Sequence, residues 1–358
     1  PDVTRGEAMQ VYLPPLLRYL ERHRVGRENV TILTATGAHR THSDAERKAL
    51  VGAETARNWT VDDHDADCDN DDLEPLDEAT PFAVDKRAVE SDCLILAGIV
   101  SYHYCAGFGG GRKLIAPGLC SHATVQALHR RSLANIDHAG NWRSRTGALR
   151  RNPFHEILER AALRLKPAFA LNVTLSWDRE ILGVVAGDMV QSHLVACLQY
   201  DKTFRLAVRE RLPLVIASCG GWPYDINFYQ AHKAIDNAFR AVQRGGTIVL
   251  LAECAEGWGS ESFIKWLTIG SFEEHRARLE SSFEVAGHTA YALKWKASQA
   301  RIVIVSETLS RLARATAIPP GIETATDLTE ALSRTEGARS LSYYLMPFAS
   351  CCLPEYTG

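Results

Sequence analysis

The sequence predicts an α/β fold made of two domains with mainly parallel sheets, and three observations lead to this prediction. Short apolar runs alternate with longer helical patterns along the chain, as in sheets covered by helices on both faces. One such run, Cys93–Val100, is apolar throughout and is typical of a buried strand. The length of 358 residues also exceeds the usual size of one domain.

The first half of the chain supplies nine predicted elements. The helices are Glu7–Arg24, Ser43–Val51, His122–Arg131, Phe154–Lys166 and Met189–Arg205, and the strands are Asn29–Ala35, Cys93–Val100, Ala168–Leu175 and Ile181–Ala186. Pro14 and Pro15 should bend the first helix. Ser43 and Glu46 have the spacing of a capping box. The acidic segment Asp62–Glu74 is interpreted as an exposed loop.

A second α/β series follows a break near residues 205–211. Its predicted strands are Leu212–Ser218, Thr247–Ala252 and Arg301–Ser306, with a helix over Asp225–Arg244 and mainly helices from there to Ala300. We therefore expect an N-terminal domain over residues 1–205, joined by residues 335–358, and a C-terminal domain over residues 206–334. The opening Pro1–Arg5 resembles the exit of a strand, which predicts that a natural N-terminal segment is missing.

Bulk composition excludes several classes of function. A net charge of −3 and a pI near 6.5 give no electrostatic argument for binding nucleic acid or a membrane. The chain shows neither a signal peptide nor an apolar stretch of the roughly 18 residues that a membrane span requires. Nine cysteines without a CxxC pair predict reduced thiols in a cytoplasmic protein.

The most informative segment is Ser101–Gly118, which follows the buried strand and contains five glycines and Lys113. Glycine lets backbone N–H groups approach an anion closely at the end of a strand. The spacing matches neither GxxxxGK[ST] nor GxGxxG, so the pattern indicates a phosphate-containing ligand without a common nucleotide fingerprint. Lys113 would add a point charge or a nucleophilic amine, while a plain turn is the simpler alternative.

Polar groups follow three predicted strands, in the segments 36–40, 103–113 and 220–233. Ligands of open α/β sheets bind at the carboxyl ends of strands, so these clusters could share one crevice between the two domains. His39 and His103 suit paired acid/base chemistry near neutral pH, although either could be an ordinary loop residue. His129, on the next helix, could ligate a metal, but no HExxH motif accompanies it.

Taken in order, these motifs resemble those of the nickel-dependent lactate racemases and the wider 2-hydroxyacid racemases and epimerases. The matching stretches are Asp2-x-Thr-Arg5, Thr36-Gly-x-His39-Arg40, His103 with Gly109-Gly-Gly-x-Lys113-x-Ile-x-Pro-Gly118, His129, Gly220-Gly-x-Pro-x-Asp-x-Asn-x-Tyr229-Gln230-x-x-Lys233 and Gly245-Gly246. Gly6 and Thr41 stand where the family usually has proline, and both are flanking positions. The resemblance covers most of the chain.

The resemblance implies a nickel-pincer nucleotide, that is, nickel on a pyridinium-3-thioamide-5-thiocarboxylate mononucleotide, between the two domains. It implies that Lys113 tethers this cofactor as a thioamide and that His129 is the protein ligand to nickel. It also implies that the loop glycines and one aromatic side chain contact the cofactor: Gly109, Gly110, Gly111 and Tyr229. Substrate contacts are implied for four residues: Asp2, Arg5, Gln230 and Lys233.

The implied reaction is the racemisation or epimerisation of a 2-hydroxyacid. One of His39 and His103 takes the hydroxyl proton while hydride moves to the cofactor, and a planar 2-ketoacid results. Hydride then returns to the opposite face and the other histidine returns the proton. Proteins that make the cofactor would be partners. A nickel-independent hydroxyacid dehydrogenase or lyase on the same fold and a non-catalytic anion-binding protein are the alternatives.

Overall fold

The computed structural model describes residues 8–133, 143–313, 318, 320–335, 337 and 340–357. These residues form two compact units, which divide at Lys202 and Thr203. Both units mix helices with strands, and most strand pairs over the described residues are parallel, so the predicted fold class is confirmed. Within the described ranges, we find no helix that is both long enough and apolar enough to span a membrane.

The first unit contains four small sheets and seven helices, the last of which ends two residues beyond Lys202. The helices are α1 Met9–Arg22, α2 Asp44–Val51, α3 Ala53–Asn58, α4 Lys86–Glu90, α5 His122–Leu133, α6 Pro153–Arg164 and α7 Met189–Phe204. The strands are β1 Thr31–Thr34, β2 Thr60–Asp63, β3 Asn70–Asp77, β4 Thr80–Asp85, β5 Ile95–Ile99, β6 Tyr102–His103, β7 Gly107–Phe108, β8 Phe169–Leu175 and β9 Ile181–Gly187.

Pairing in the first unit is parallel for β1 with β2 and for β5 with β8. Strand β9 lies antiparallel to β8, and β3–β4 and β6–β7 are antiparallel pairs. Helix α1 buries Tyr12, Leu13 and Leu17 in one core cluster that also contains Val173 of β8. A second cluster, around Phe154 of α6, lies beneath the turn that follows β5. Strands β1 and β5 lie in separate sheets, and the predicted residues His39 and His103 follow them in the chain.

Local signals were good guides to several elements of the first unit. The Ser43–Glu46 capping box is present at the start of α2, as predicted. Helix α1 runs through both of its prolines. The prediction of an exposed loop over Asp62–Glu74 was wrong: β2 ends there and β3 begins there, because the polar residues of β3 pair with the more apolar β4.

The second unit is built on a parallel sheet of five strands in the order β14-β13-β12-β11-β15. Its strands are β10 Arg205–Val208, β11 Leu212–Ser218, β12 Val242–Leu251, β13 Arg301–Val305, β14 Ile322–Ala325, β15 Tyr343–Met346 and β16 Leu353–Tyr356. Its helices are α8 Phe228–Ala238, α9 Glu261–Leu267, α10 Phe272–Ser281, α11 Val285–Gln299, α12 Glu307–Leu312 and α13 Leu328–Ser333.

Two predictions about the second unit need correction. Residues 335–358 do not join the N-terminal domain, because β15 pairs with β11 and β16 pairs with β10. The helix expected over Asp225–Arg244 is shorter, since α8 ends at Ala238 and β12 begins at Val242.

Candidate functional site

Two turns of the first unit are joined by backbone contacts. The turn after β1 carries His39, and its Gly37 N–H donates to the carbonyl of Gly118 at 2.9 Å. Gly118 N–H in turn donates to the carbonyl of Lys113 at 3.1 Å. Because Gly118 bonds to both turns, the segment that carries Lys113 lies directly beside the turn that carries His39. His39 itself is exposed.

His103 and Lys113 are in contact, as a shared site requires. His103 is the last residue of β6 and is buried, whereas Lys113 lies in a 3-10 turn after the glycines and is half-buried. Lys113 Nζ lies 3.2 Å from His103 Nε2. The ring of Tyr104 stacks beside that of His103, with centroids 5.3 Å apart. An amine and an imidazole at this distance can exchange or share a proton.

The proton on neutral His103 is placed by the backbone. The N–H groups of Cys105 and Ala106 lie 3.3 and 3.1 Å from Nδ1, and backbone N–H groups can only donate. Nδ1 therefore accepts, and Nε2 carries the hydrogen of the neutral ring. That Nε2–H can donate to Lys113 only if Nζ keeps its lone pair, which is also the state in which an amine is nucleophilic.

His129 of α5 has the properties of a metal ligand. Its Nδ1–H donates to the carbonyl of Val125 at 2.8 Å, which leaves the lone pair on Nε2. Burial, reinforced by Lys113 and His39 and opposed by that hydrogen bond, lowers the pKa of His129 to about 4. A neutral imidazole is the form that binds metals. The charges of Lys113 and His39 both contribute to this lowering, which indicates that the two residues lie in the same part of the unit as His129.

No group of three or more His, Cys, Asp or Glu side chains that could hold a metal occurs among the residues described here. The chain in these ranges therefore offers no complete protein site of the usual kind. A cofactor that brings its own donors and needs one imidazole fits His129. An amine of the kind that a tether requires is present at Lys113, which contacts His103.

The loop glycines have a packing role that is independent of any ligand. A Cβ on Gly110, where φ is +70°, would lie 2.8 Å from the carbonyl oxygen of Ile99. A Cβ on Gly111, where φ is +50°, would lie 2.6 Å from the ring of His193 in α7. The carbonyl of Gly109 lies 2.9 Å from Nε2 of the same histidine. Glycine is needed here to fit against the protein, and contact of Gly109–Gly111 with a cofactor stays a prediction.

Arg112, which stands between Gly111 and Lys113, is buried. Only 1% of its surface is exposed. Its Nη2 donates to the carbonyl of Ala106 at 2.8 Å, and its Nη1 lies 2.8 Å from His193 Nε2. Burial lowers the pKa of Arg112 to about 10, so it keeps its charge at neutral pH. The guanidinium thus fixes the loop between His103 and Lys113 from inside.

The predicted residues of the second unit lie on the first turns of α8. Asn227 caps this helix by accepting from Gln230 N–H at 3.0 Å. Lys233 Nζ donates to Gln230 Oε1 at 2.5 Å, so these two side chains are together. Tyr229 is half-buried, and its ring packs edge-on against Phe263. Their roles toward cofactor and substrate stay predictions. Asp2 and Arg5 lie outside the described residues.

Sequence reasoning missed Asn152, the residue before α6. Its Oδ1 accepts from the N–H groups of Phe154 and His155, and its Nδ2 donates to the carbonyls of Cys105 and Ala148 at 2.8 Å. The dipeptide Asn-Pro at a helix start is a capping signal and could have revealed the first pair of contacts. Nothing local in the sequence indicates the contact with Cys105, which lies 47 residues earlier in the chain.

Sequence comparison finds two matching family models, one in each half of the chain. Residues 1–140 match the lactate racemase N-terminal domain, and residues 209–340 match the lactate racemase C-terminal domain. A lactate racemase of Thermoanaerobacterium thermosaccharolyticum is 35% identical over 267 residues, which are 74% of this chain and 61% of that protein. One of Lactiplantibacillus plantarum is 34% identical over 264 residues, 73% of this chain and 61% of that protein.

Comparison with solved structures finds similarity to the same family. The lactate racemase apoprotein of T. thermosaccharolyticum matches with a TM-score of 0.88 and 28% identity, covering 99% of this chain and 85% of that one. A Thermotoga maritima protein at 17% identity and a TM-score of 0.75, covering 99% of this chain and 92% of its own, shares the fold.

The fold is that of an α/β protein in two units, with the predicted residues His39, His103 and Lys113 in the first unit. The chain belongs to the lactate racemase family. The sequence alignments span 61% of the length of the curated relatives that it matches.

Proposed function

We propose that this chain is a racemase or epimerase of a 2-hydroxyacid that works with a nickel-pincer nucleotide. The observation that carries the proposal is the contact of Lys113 Nζ with His103 Nε2 at 3.2 Å, in a segment that Gly118 joins to the turn carrying His39. This reaction needs two histidines for proton transfer, one neutral histidine for a metal and one amine for a tether. The family membership of the chain supports the same assignment.

The protein residues have separate tasks in this proposal. His39 and His103 move the proton of the substrate hydroxyl, one for each enantiomer. Arg5, oriented by Asp2, holds the carboxylate, for which a guanidinium is suited by its paired donors. Gln230 and Lys233 provide further polar contacts to the substrate.

Lys113 and His129 would hold the cofactor, with Tyr229 and Gly109–Gly111 against it. When bound, the cofactor supplies the acceptor and donor of hydride, chemistry that no side chain performs. Proteins that make the cofactor would be required partners, and the cytoplasm is the proposed compartment.

The tether is tested by intact mass of protein co-produced with the cofactor-making proteins. We expect an added mass on the wild type and none on Lys113→Ala. Lys86→Ala, at an exposed lysine of α4 that pairs with Glu90, is the matched control and should keep the adduct. An adduct of unchanged amount on Lys113→Ala would refute the tether.

The metal ligand is tested by nickel content. We expect His129→Ala to lose most of its nickel, whereas His122→Ala, at an exposed position on the same helix, should retain it. Equal nickel in the two variants would exclude His129 as the ligand.

The reaction is tested by a chirality-resolved assay on a panel of 2-hydroxyacids, with lactate first because the named relatives are lactate racemases. His39→Ala and His103→Ala should each lose racemisation and still bind nickel. Turnover without nickel would favour a dehydrogenase or lyase. Binding of hydroxyacids without any turnover by the loaded protein would favour an anion-binding protein.

A further inference from the structure

The peptide group between Cys105 and Ala106 has both of its polar atoms engaged around His103. Its N–H, which belongs to Ala106, donates to His103 Nδ1 at 3.1 Å. Its carbonyl, which belongs to Cys105, accepts from Asn152 Nδ2 at 2.8 Å. Because a peptide group is planar, the bond to its oxygen also fixes the direction of its N–H. Asn152 is therefore coupled to the ring of His103 through one rigid unit.

Asn152 is itself held in one orientation. Its side chain is fully buried and makes four hydrogen bonds, two at each end of the amide. The helix N–H groups can only donate and the carbonyls of Cys105 and Ala148 can only accept, so the amide cannot be turned over. Four bonds saturate the hydrogen-bonding capacity of the side chain.

We propose that Asn152 is a positioning residue for His103. By holding the Cys105–Ala106 peptide, Asn152 determines which ring nitrogen of His103 carries the proton. The importance of this proton for catalysis rests on the proposed function, whereas its position can be measured in protein without cofactor. Arg112 assists from the next peptide, since its Nη2 donates to the carbonyl of Ala106 at 2.8 Å.

The consequence of the held peptide is a single tautomer. With Nδ1 accepting, Nε2 carries the hydrogen and points it toward Lys113 Nζ, 3.2 Å away. If the peptide turned, Nδ1 would lose the shorter of its two contacts and keep only that with Cys105 N–H at 3.3 Å, so a hydrogen on Nδ1 would be opposed less strongly. Neutral His103 would then become a mixture of two forms, and Nε2 would spend part of its time as an acceptor.

Asn152→Asp separates this role from the capping of α6. A carboxylate oxygen still accepts from the helix N–H groups, and Asp is as good an N-cap as Asn. In the wild type the carbonyls of Cys105 and Ala148 accept from Asn152 Nδ2. In the variant a carboxylate oxygen would face both carbonyls and repel them. The substitution therefore keeps the cap and displaces the Cys105–Ala106 peptide. Asn152→Ser, which also caps well but is too short to reach Cys105, is the second variant.

The test is nitrogen NMR of the full chain labelled with ¹⁵N-histidine, without cofactor, at mildly alkaline pH. His103→Gln identifies the His103 signals by their absence. We expect wild-type His103 to show an unprotonated Nδ1 and a protonated Nε2. In Asn152→Asp and Asn152→Ser the unprotonated Nδ1 resonance should be lost or shifted toward the average of two tautomers.

Asn237→Asp is the matched control, because Asn237 is also buried and donates from Nδ2 to a backbone carbonyl, that of Ala349, in the second unit. It should lower the melting temperature and leave the His103 signals unchanged. A protonated Nδ1 in the wild type, unchanged His103 signals in a folded Asn152 variant, or the same change in Asn237→Asp would each overturn the proposal. Absence of racemisation with the expected signals would instead count against the proposed function alone.

Discussion

Replacing Asp85 with asparagine should make the stability of the first unit less sensitive to acid. The carboxylate of Asp85 is 1% exposed and lies at the end of β4. It accepts from His64 Nδ1 at 3.0 Å and from Arg87 Nη2 at 2.8 Å. His64 Nε2 lies 3.0 Å from the carbonyl of Cys120, two residues beyond Gly118. This network therefore anchors the end of the segment Lys113–Cys120, whose Gly118 joins the two turns of the site.

The size of the effect follows from the pKa of Asp85. Burial opposes its ionisation, but the hydrogen bonds from His64 and Arg87 outweigh burial and lower the pKa from 3.8 to about 2. A carboxylate with a lowered pKa in the folded state stabilises that state above about pH 4 and loses this contribution as the pH falls to about 2. At ~1.4 kcal/mol for each pH unit, the contribution is about 2 kcal/mol.

The assay compares free energies of unfolding of the wild type and Asp85→Asn in urea, at about pH 6 and about pH 2.5. Pulsed hydrogen exchange of peptides from residues 60–90 would assign the transition to the first unit. The advantage of the wild type over the variant should shrink by about 1.5 kcal/mol at the lower pH, where Asp85 of the folded state is still partly ionised. Asp72→Asn, at an exposed position on β3, controls for the change in net charge. An advantage that does not change with pH would refute the reasoning.

Three other predictions concern packing and thiol reactivity. Gly111→Ala should destabilise by more than about 2 kcal/mol in thermal unfolding, because its Cβ would meet a buried histidine ring, whereas Gly221→Ala, with open space and φ +81°, should cost about 1 kcal/mol. Phe154→Ala should destabilise by about 3–5 kcal/mol, since the ring is fully buried. Among the nine cysteines, only Cys68 and Cys93 should react rapidly with a thiol reagent in the folded protein, because both are exposed. Added salt should accelerate the reaction of Cys68, whose acidic neighbours raise its pKa.

The parts of the fold that the sequence could predict are those with a local cause. Continuous apolar runs such as Cys93–Val100 belong in the buried interior wherever they fall in the chain, and β5 occupies the middle of that run. The Ser43–Glu46 capping box needs only residues three apart. His39, His103 and Lys113 could be singled out in the same way, because each follows a predicted strand or a glycine run, and their roles stay predictions.

The remaining features depend on pairings between distant residues. Strand β3 is largely polar and forms because β4 offers it a partner with a buried face, a fact that its own composition does not contain. The pairing of β15 with β11 joins residues about 130 positions apart. One hydrogen-bond network joins His64, Asp85 and Cys120. Because His64 and Cys120 are 56 residues apart, no spacing in the sequence marks them as neighbours.

The two predicted acid/base histidines lie in different environments, and this difference should affect only some of the kinetic constants. His39 is exposed in a turn, whereas His103 is buried with its Nδ1 held by two backbone amides. To accept a proton at Nε2, neutral His103 must carry its hydrogen at Nδ1, so those amides have to move first. Enantiomers have equal free energies, so for a racemase kcat/KM must be the same in both directions. The cost of releasing His103 would therefore appear as unequal kcat values for the two enantiomers, balanced by unequal KM values. Substitutions at Asn152 should change this imbalance and leave the equality of kcat/KM intact.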